Sequence, residues 1–321
     1  MNIWCNGKYD EAVLKRLREG VGGHKLVFST NLVASMLSAG KPDPAMEEAD
    51  IAFGQPAPAD CISSARLKWL HLTSAGYTRY DTEELRENFR AKGAALTSSS
   101  AVFADPCAQH VLAMMLALNR EVLAAYKEQT GAHGWGHKAQ RRNARLLTGQ
   151  TVLLLGFGLM GRRLAELLAP FGCTVYAVRR QTRSEHGVRI VPEEDLTKVL
   201  ALADHVVDIL PENDSTTNWV NARRLACFKP GARFYNVGRG TTVDQNALIE
   251  ALQSGRLGAA YLDVMTPEPL PPEHPLWTAP NCCITPHSAG GRGNDHEAIV
   301  EHFLRNLALF EAGRALPDRV V

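Results

Sequence analysis

The chain of 321 residues is longer than one compact core of ordinary size, and its 45% hydrophobic content is enough to build two. With 35 Lys and Arg against 34 Asp and Glu, the formal net charge is +1, so bulk electrostatics point neither to nucleic acid nor to an anionic membrane surface. The opening Met1-Asn2-Ile3-Trp4-Cys5-Asn6 lacks a basic segment followed by an apolar run, and no later stretch reads as about 20 apolar residues; a cytoplasmic protein is expected.

Short apolar runs over residues 2–5, 25–28, 51–54, 69–73 and 95–97 read as strands alternating with polar helical stretches, a small α/β unit. From Asp105, a plausible N-cap, with Pro106 in the first turn, one long helix is expected over residues 106–128. Its face of Val111, Met114, Met115, Leu118 and Val122 is too apolar for a solvated surface, so one side serves the core and another a subunit contact. The glycine-rich, basic stretch 131–145 reads as a loop, and residues 151–155 as a strand buried on both faces. Strands at 174–178, 205–210, 233–237, 259–263 and 282–285 then alternate with helices, among them 244–254 closed by Gly255. This alternation predicts a parallel, doubly wound sheet. A last helix over 296–312 ends the chain without a strand and is expected to return to the first domain. The expected class is α/β: a Rossmann cofactor domain over residues 100–288, and a smaller flavodoxin-like substrate domain over 1–99 and 289–321.

Seven cysteines at irregular spacings, with Cys282 and Cys283 adjacent in a strand, read as small core residues. His133-Gly-Trp-Gly-His137 has ligand-like spacing, but its glycines deny it a rigid helix and no carboxylate follows, so no metal site is expected.

The pattern Gly156-Phe157-Gly158-Leu159-Met160-Gly161 says little alone, because glycine is common. Here it directly follows an apolar strand and opens an amphipathic helix, which is the context of a dinucleotide site. Gly156 permits the tight turn, Gly158 lets backbone approach a pyrophosphate, Gly161 allows close helix packing, and the N–H groups from Leu159 and Met160 onward face the anion. After the second strand, where an acid would receive the ribose hydroxyls, the chain reads Val178-Arg179-Arg180-Gln181-Thr182-Arg183. Arg179, Arg180 and Arg183 suit a 2′-phosphate, so NADP(H) is preferred, with NAD(H) as the alternative. Arg239 stands between two glycines in Asn236-Val237-Gly238-Arg239-Gly240, just after a strand, with room for a neighbouring cofactor. Glu268, held between prolines, and His287, after Thr285-Pro286, also follow strand ends and so converge on one crevice. A carboxylate on one imidazole nitrogen orients the ring and leaves the other to exchange a proton with a substrate oxygen. Arg239, Glu268 and His287 are thus the candidate catalytic set for reduction of a 2-oxo acid.

The motifs Leu154 to Gly161, Asn236 to Gly240 with Val243-Asp244, Asp263-Val-Met-Thr-Pro-Glu-Pro269 and Thr285-Pro-His-Ser288 together resemble the D-isomer-specific 2-hydroxyacid dehydrogenase family over nearly the whole chain, in the manner of its glyoxylate and hydroxypyruvate reductases. The resemblance implies that His287 is the acid/base, Glu268 its partner, and Arg239 the holder of the substrate carboxylate and carbonyl. It implies that Ser74, Ala75 and Gly76 grip the carboxylate through backbone N–H groups, and that Leu210, Pro211, Thr216 and Asp263 line the nicotinamide pocket beside Val237 and Gly238. It also implies homodimers built on the cofactor domain. Two departures stand out: Arg179 replaces the usual acid, and Gln109 stands where Glu is usual, with a consequence that the sequence does not reveal. Glu268 argues against a formate dehydrogenase, and Ala75 against a phosphite dehydrogenase. The expected activity is NADPH-dependent reduction of a small 2-oxo acid such as glyoxylate or hydroxypyruvate to the D-2-hydroxy acid, in a pocket crowded by Phe53, Tyr77 and Trp277. A dinucleotide-sensing corepressor of the same fold, and NAD-dependent oxidation of a specific D-2-hydroxy acid, are the alternatives.

Overall fold

A computed structural model describes residues 1–34, 38, 40–179 and 187–321. The chain divides into two compact units, Met1–Phe103 with Arg292–Val321, and Ala104–Gly291.

In the first unit, β1 (Asn2–Gly7), β2 (Lys25–Val33), β3 (Ile51–Gly54), β4 (Trp69–Leu72) and β5 (Ala95–Thr97) form a parallel sheet in the order β2-β1-β3-β4-β5, the flavodoxin-like order. Helices α1 (Glu11–Gly20), α2 (Pro58–Ser63) and α3 (Glu83–Ala91) connect the strands. Asp10 starts α1 by accepting the Val13 N–H, and Val13 and Leu17, one turn apart, bury the same face. Phe53 is fully buried and stacks on Phe303 at 4.1 Å, so it is core and not the pocket wall that was expected.

The single helix expected over 106–128 is two, α4 (Ser100–Asn119) and α5 (Val122–Thr130). α4 starts six residues earlier than Pro106 because Asp318 accepts the Ala101 N–H at 2.9 Å, capping the end from the far terminus of the chain. Its end is set by Asn119, whose carbonyl accepts Arg145 N–H at 2.7 Å instead of continuing the helix, and Glu121 then turns left-handed at φ 60°. By length and composition α4 could cross a membrane, with a mean hydropathy of 1.4, although no such stretch was expected. Its Ala108, Val111 and Met115 are buried and His110 stacks on Tyr261 at 5.5 Å, so packing accounts for that composition.

Within the stretch expected as a loop lies a short helix, α6 (His137–Asn143). The second unit continues through β6 (Thr151–Leu155), α7 (Leu159–Leu168), β7 (Thr174–Val178), β8 (Arg189–Val191), α8 (Leu196–Leu200), β9 (His205–Asp208), α9 (Ala222–Leu225), β10 (Ala232–Asn236), α10 (Gln245–Gln253), β11 (Leu257–Leu262) and β12 (Cys282–Ile284). The sheet order β12-β11-β10-β9-β6-β7-β8 is the Rossmann arrangement extended by one strand, with β8 not foreseen, and the topology reverses between β6 and β9. Asp244 caps α10, which buries Leu248, Ile249 and Leu252, and Gly255 at φ 72° follows its end. The last helix, α11 (Asp295–Glu311), places Ile299 and Phe303 in the core of the first unit. The tail is not strandless in effect: Val320 N–H bonds Leu96 O at 2.8 Å, and Arg319 bridges Thr97 antiparallel.

Candidate active site

The described candidates of the second unit follow the carboxyl ends of the strands in its parallel sheet. After β6, Gly156 takes φ +101°, with Ile209 O 3.0 Å from where a Cβ would stand, so a side chain would be strained and crowded there. At Gly158 nothing stands within 4 Å of that position, and no side chain caps the N-terminus of α7. The first N–H groups of that helix, at Leu159, Met160 and Gly161, have no intrahelical acceptor and face an open cradle that fits a pyrophosphate. The turns after β9 and β10 come equally close: a Cβ on Gly238 would meet Leu210 O at 2.8 Å. Leu210, Pro211, Val237 and Gly238 are therefore neighbours of the glycine turn.

After β7, the Arg179 guanidinium lies 5.8 Å from the Phe157 ring centroid, and Arg162 approaches the same ring at 5.8 Å. Arg180 and Arg183 lie outside the described residues. Thr216 uses its hydroxyl inside its own loop, on Pro211 O at 2.7 Å and Asn213 O at 2.9 Å, which shapes the turn after β9.

Of the three strand-end groups, His287 and Glu268 are in direct contact, and Arg239 is near enough for its charge to act on Glu268. His287 Nδ1 lies 2.7 Å from Glu268 Oε2, while Glu268 Oε1 accepts Met265 N–H at 3.0 Å, so the carboxylate is fixed from both sides. Burial alone would raise the Glu268 carboxyl; the His287 hydrogen bond, the Met265 amide and the charges of His287 and Arg239 outweigh it and hold it below the usual carboxylate range. The His287 backbone sits at φ 50° and donates to Asp263 O at 2.8 Å. Asp263 is buried, and its carboxylate accepts from Thr285 Oγ1 at 2.5 Å, Ser288 N at 2.9 Å and Ala289 N at 3.0 Å. It thus clamps the turn that carries the imidazole. Among the described residues, Nε2 of His287 has no protein partner and is the nitrogen available to a ligand. Arg239 donates to Gly238 O at 2.6 Å.

In the first unit, the loop after β4 presents Ser74, Ala75 and Gly76. Ser74 Oγ accepts from Gln55 Nε2 at 3.0 Å and donates to Gly76 O at 2.6 Å, while Ala75 O accepts from Ser100. The amide N–H groups of Ala75 and Gly76 have no acceptor among the described residues. Gln109 donates to Asp105 at 2.7 Å, and Asp105 also holds Arg163, so the amide that replaces the usual acid is tied on its own helix. Trp277 is half exposed and lines a separate cavity with β12, so it does not crowd His287 as expected. Two residues were missed: Asp208, fully buried at the end of β9, and Thr242, hydrogen bonded to it at 2.6 Å. The signal was an acid inside the apolar run His205-Val-Val-Asp-Ile-Leu210, where a central strand should carry none.

A doubly wound sheet with an open glycine cradle at its switch point, next to a histidine–glutamate pair and an arginine, defines a nicotinamide-dinucleotide oxidoreductase. Residues 112–289 match the family model described as D-isomer specific 2-hydroxyacid dehydrogenase, NAD binding domain. The chain is 30% identical over 264 residues to a glyoxylate reductase of Pyrococcus furiosus, covering 80% of this chain and 77% of that one. It is 31% identical over 260 residues to a human glyoxylate reductase/hydroxypyruvate reductase, covering 80% and 78%. An NADPH-dependent glyoxylate/hydroxypyruvate reductase from Sinorhizobium meliloti, solved with NADP and sulfate, superposes with a TM-score of 0.78 at 25% identity, over 99% of this chain and 98% of that one. The chain belongs to the D-isomer-specific 2-hydroxyacid dehydrogenase family, as an oxidoreductase that uses a nicotinamide cofactor.

Proposed function

We propose that the protein reduces a small 2-oxo acid of the glyoxylate or hydroxypyruvate kind to the D-2-hydroxy acid with NADPH. The single observation that carries the reading is the 2.7 Å contact between His287 Nδ1 and Glu268, with Nε2 left for substrate. When bound, the nicotinamide supplies the hydride to the carbonyl carbon. His287 gives its proton to the carbonyl oxygen, and Glu268 keeps the ring oriented and steadies its charged form. Arg239 meets the charge that develops on that oxygen and on the carboxylate, a task suited to a planar donor that stays protonated. Leu159, Met160 and Gly161 hold the pyrophosphate through N–H groups, beside Gly156, Gly158, Leu210, Pro211, Val237 and Gly238. The free amides of Ala75 and Gly76, with Ser74, suit a carboxylate. Arg179, with Arg180 and Arg183, favours the 2′-phosphate. The 1–99 and 289–321 segment serves substrate, the 100–288 segment cofactor. A homodimer through the second unit fits the exposed Tyr126 and Trp277 that line a cavity of about 820 Å³, and the exposed Val122 on α5.

The test is a panel of 2-oxo acids with NADPH, run on the wild type and on His287→Ala. Turnover should fall by about 10²-fold or more while NADPH affinity changes little, because proton transfer and dinucleotide binding use different atoms. Equal loss of both, or tight NADPH binding with no turnover on any acid in the wild type, contradicts the reading.

A further inference from the structure

Asp208 closes β9, the middle strand of the seven, in register with Leu155 of β6 and Asn236 of β10. It has no exposure to solvent, and among the described residues it has no ion pair. Its Oδ1 accepts the Leu210 N–H at 3.0 Å, and its Oδ2 lies 2.6 Å from Thr242 Oγ1. Thr242 is equally buried, and the same Oγ1 lies 2.7 Å from the carbonyl oxygen of Arg239.

A hydroxyl has one hydrogen to give. If Asp208 were ionised, Thr242 would face two acceptors, and one of the two short oxygen–oxygen contacts would have no hydrogen in it. If Asp208 holds a proton on Oδ2, it donates to Thr242, Thr242 donates to Arg239 O, and both contacts are hydrogen bonds of ordinary length. An unpaired buried carboxylate would also carry the full desolvation cost, which the neutral acid avoids. The same carbonyl receives Asn236 Nδ2 at 2.9 Å, and Asn236 Oδ1 accepts Gly238 N–H at 2.9 Å, so these bonds together fix the Asn236 to Gly240 turn.

We propose that Asp208 is a positioning residue that works as the neutral acid: through its proton it fixes Thr242, and through Thr242 the peptide of Arg239 and the aim of that guanidinium. The proposal rests on reading Arg239 as the substrate anchor. Burial pushes the Asp208 carboxyl up to about 7, against the lowering pull of Thr242 and the Leu210 amide, so the proton is lost within the ordinary working range. The groups facing Asp208 are Leu155 from β6, Asn236 from β10 and Thr242 from the following turn, none of them titratable. The charged residue of that turn is Arg239, held to Gly238 O, and the titratable residue of β9 itself is His205, bonded at the other end to Tyr235 and Gln150.

The experiment compares wild type, Asp208→Asn and Thr242→Val. The amide of Asp208→Asn can give Thr242 the same hydrogen at every pH. Wild-type kcat should fall above about pH 7 with the loss of the Asp208 proton on top of that of His287, and Asp208→Asn should keep only the His287 limb. Thr242→Val should lower kcat about tenfold, the effect of one lost buried hydrogen bond, with NADPH affinity retained. Separately, without cofactor or substrate, the folded-to-unfolded ratio of wild type relative to Asp208→Asn should fall about tenfold per pH unit between about 4 and 7, then level off. That second measurement does not depend on the reductase reading, and its outcome stands whatever the substrate proves to be. A limb unchanged in Asp208→Asn, a stability ratio flat with pH, or an Asp208→Asn protein that fails to fold would overturn the proposal.

Discussion

Arg179 follows β7 where a carboxylate would accept two ribose hydroxyls, and a guanidinium cannot accept them at all. Its guanidinium, 5.8 Å from the Phe157 ring centroid, stands beside a residue of the glycine turn, and on the proposed reading it meets an added phosphate. Arg179→Asp should therefore lower kcat/KM with NADPH at least tenfold relative to NADH, measured with one 2-oxo acid at one ionic strength. An unchanged ratio would remove Arg179 from cofactor choice. The contact between His287 and Glu268 was legible in the sequence, because residues that follow the ends of parallel strands fall at one edge of the sheet; the part of Arg179 in cofactor choice is a proposal that this experiment decides. Asp208 and Thr242 were not legible, because their meaning lies in two oxygen–oxygen contacts that share one hydroxyl, one of them across 34 residues of chain, and no periodic pattern encodes a hydrogen count. Asp263 was legible in position but not in action: it was expected beside the cofactor, and its oxygens hold the 285–289 turn.

At the scale of elements, strands read well and helix ends did not. An apolar run buried on both faces marks a parallel strand by composition alone, as β6 shows. The start of α4 was misplaced at Pro106 because proline favours a first turn, whereas the actual cap comes from Asp318, 217 residues away. The break before α5 has the same kind of cause, a tertiary bond from Arg145 to Asn119. That break leaves Val122 and Tyr126 exposed, Tyr126 at 62%, and Tyr126 lines the 820 Å³ cavity between α5 and β12. Large exposed apolar groups around one recess are what an interface between copies needs. In the proposed homodimer, Tyr126→Glu would bring an unpaired charge into that contact, and the dissociation constant should rise at least tenfold. Sedimentation equilibrium decides it: a wild type that runs as a monomer at micromolar concentration, or a variant that dimerises as tightly as wild type, sinks the assignment.

Across the described residues of the whole molecule, His71 in the first unit and His205 in the second are fully buried and held toward the neutral form. His71 in the first unit is pushed well below the ordinary imidazole value by burial and by the charge of His302, and His205 in the second is lowered to about 3 by burial and then by Arg233. Below about pH 6.5 the unfolded chain protonates both and the folded chain does not, so each costs stability as pH falls, by about 1.4 kcal/mol per unit. Asp208 acts in the opposite sense: its folded value is raised, so its contribution is present below about pH 4 and lost as pH rises towards 7. Between about pH 4.5 and 6.5 two groups therefore favour unfolding on acidification and one opposes it, a net uptake of about one proton. Scanning calorimetry should show melting temperature falling through that interval, with roughly twice the slope in Asp208→Asn. If the units melt separately, the first should follow His71 alone in both proteins, and the second should be nearly level in wild type and sloped only in the variant. A first-unit transition indifferent to pH would mean that His71 is protonated in the fold, against its packing between Trp69, Phe53 and Phe303.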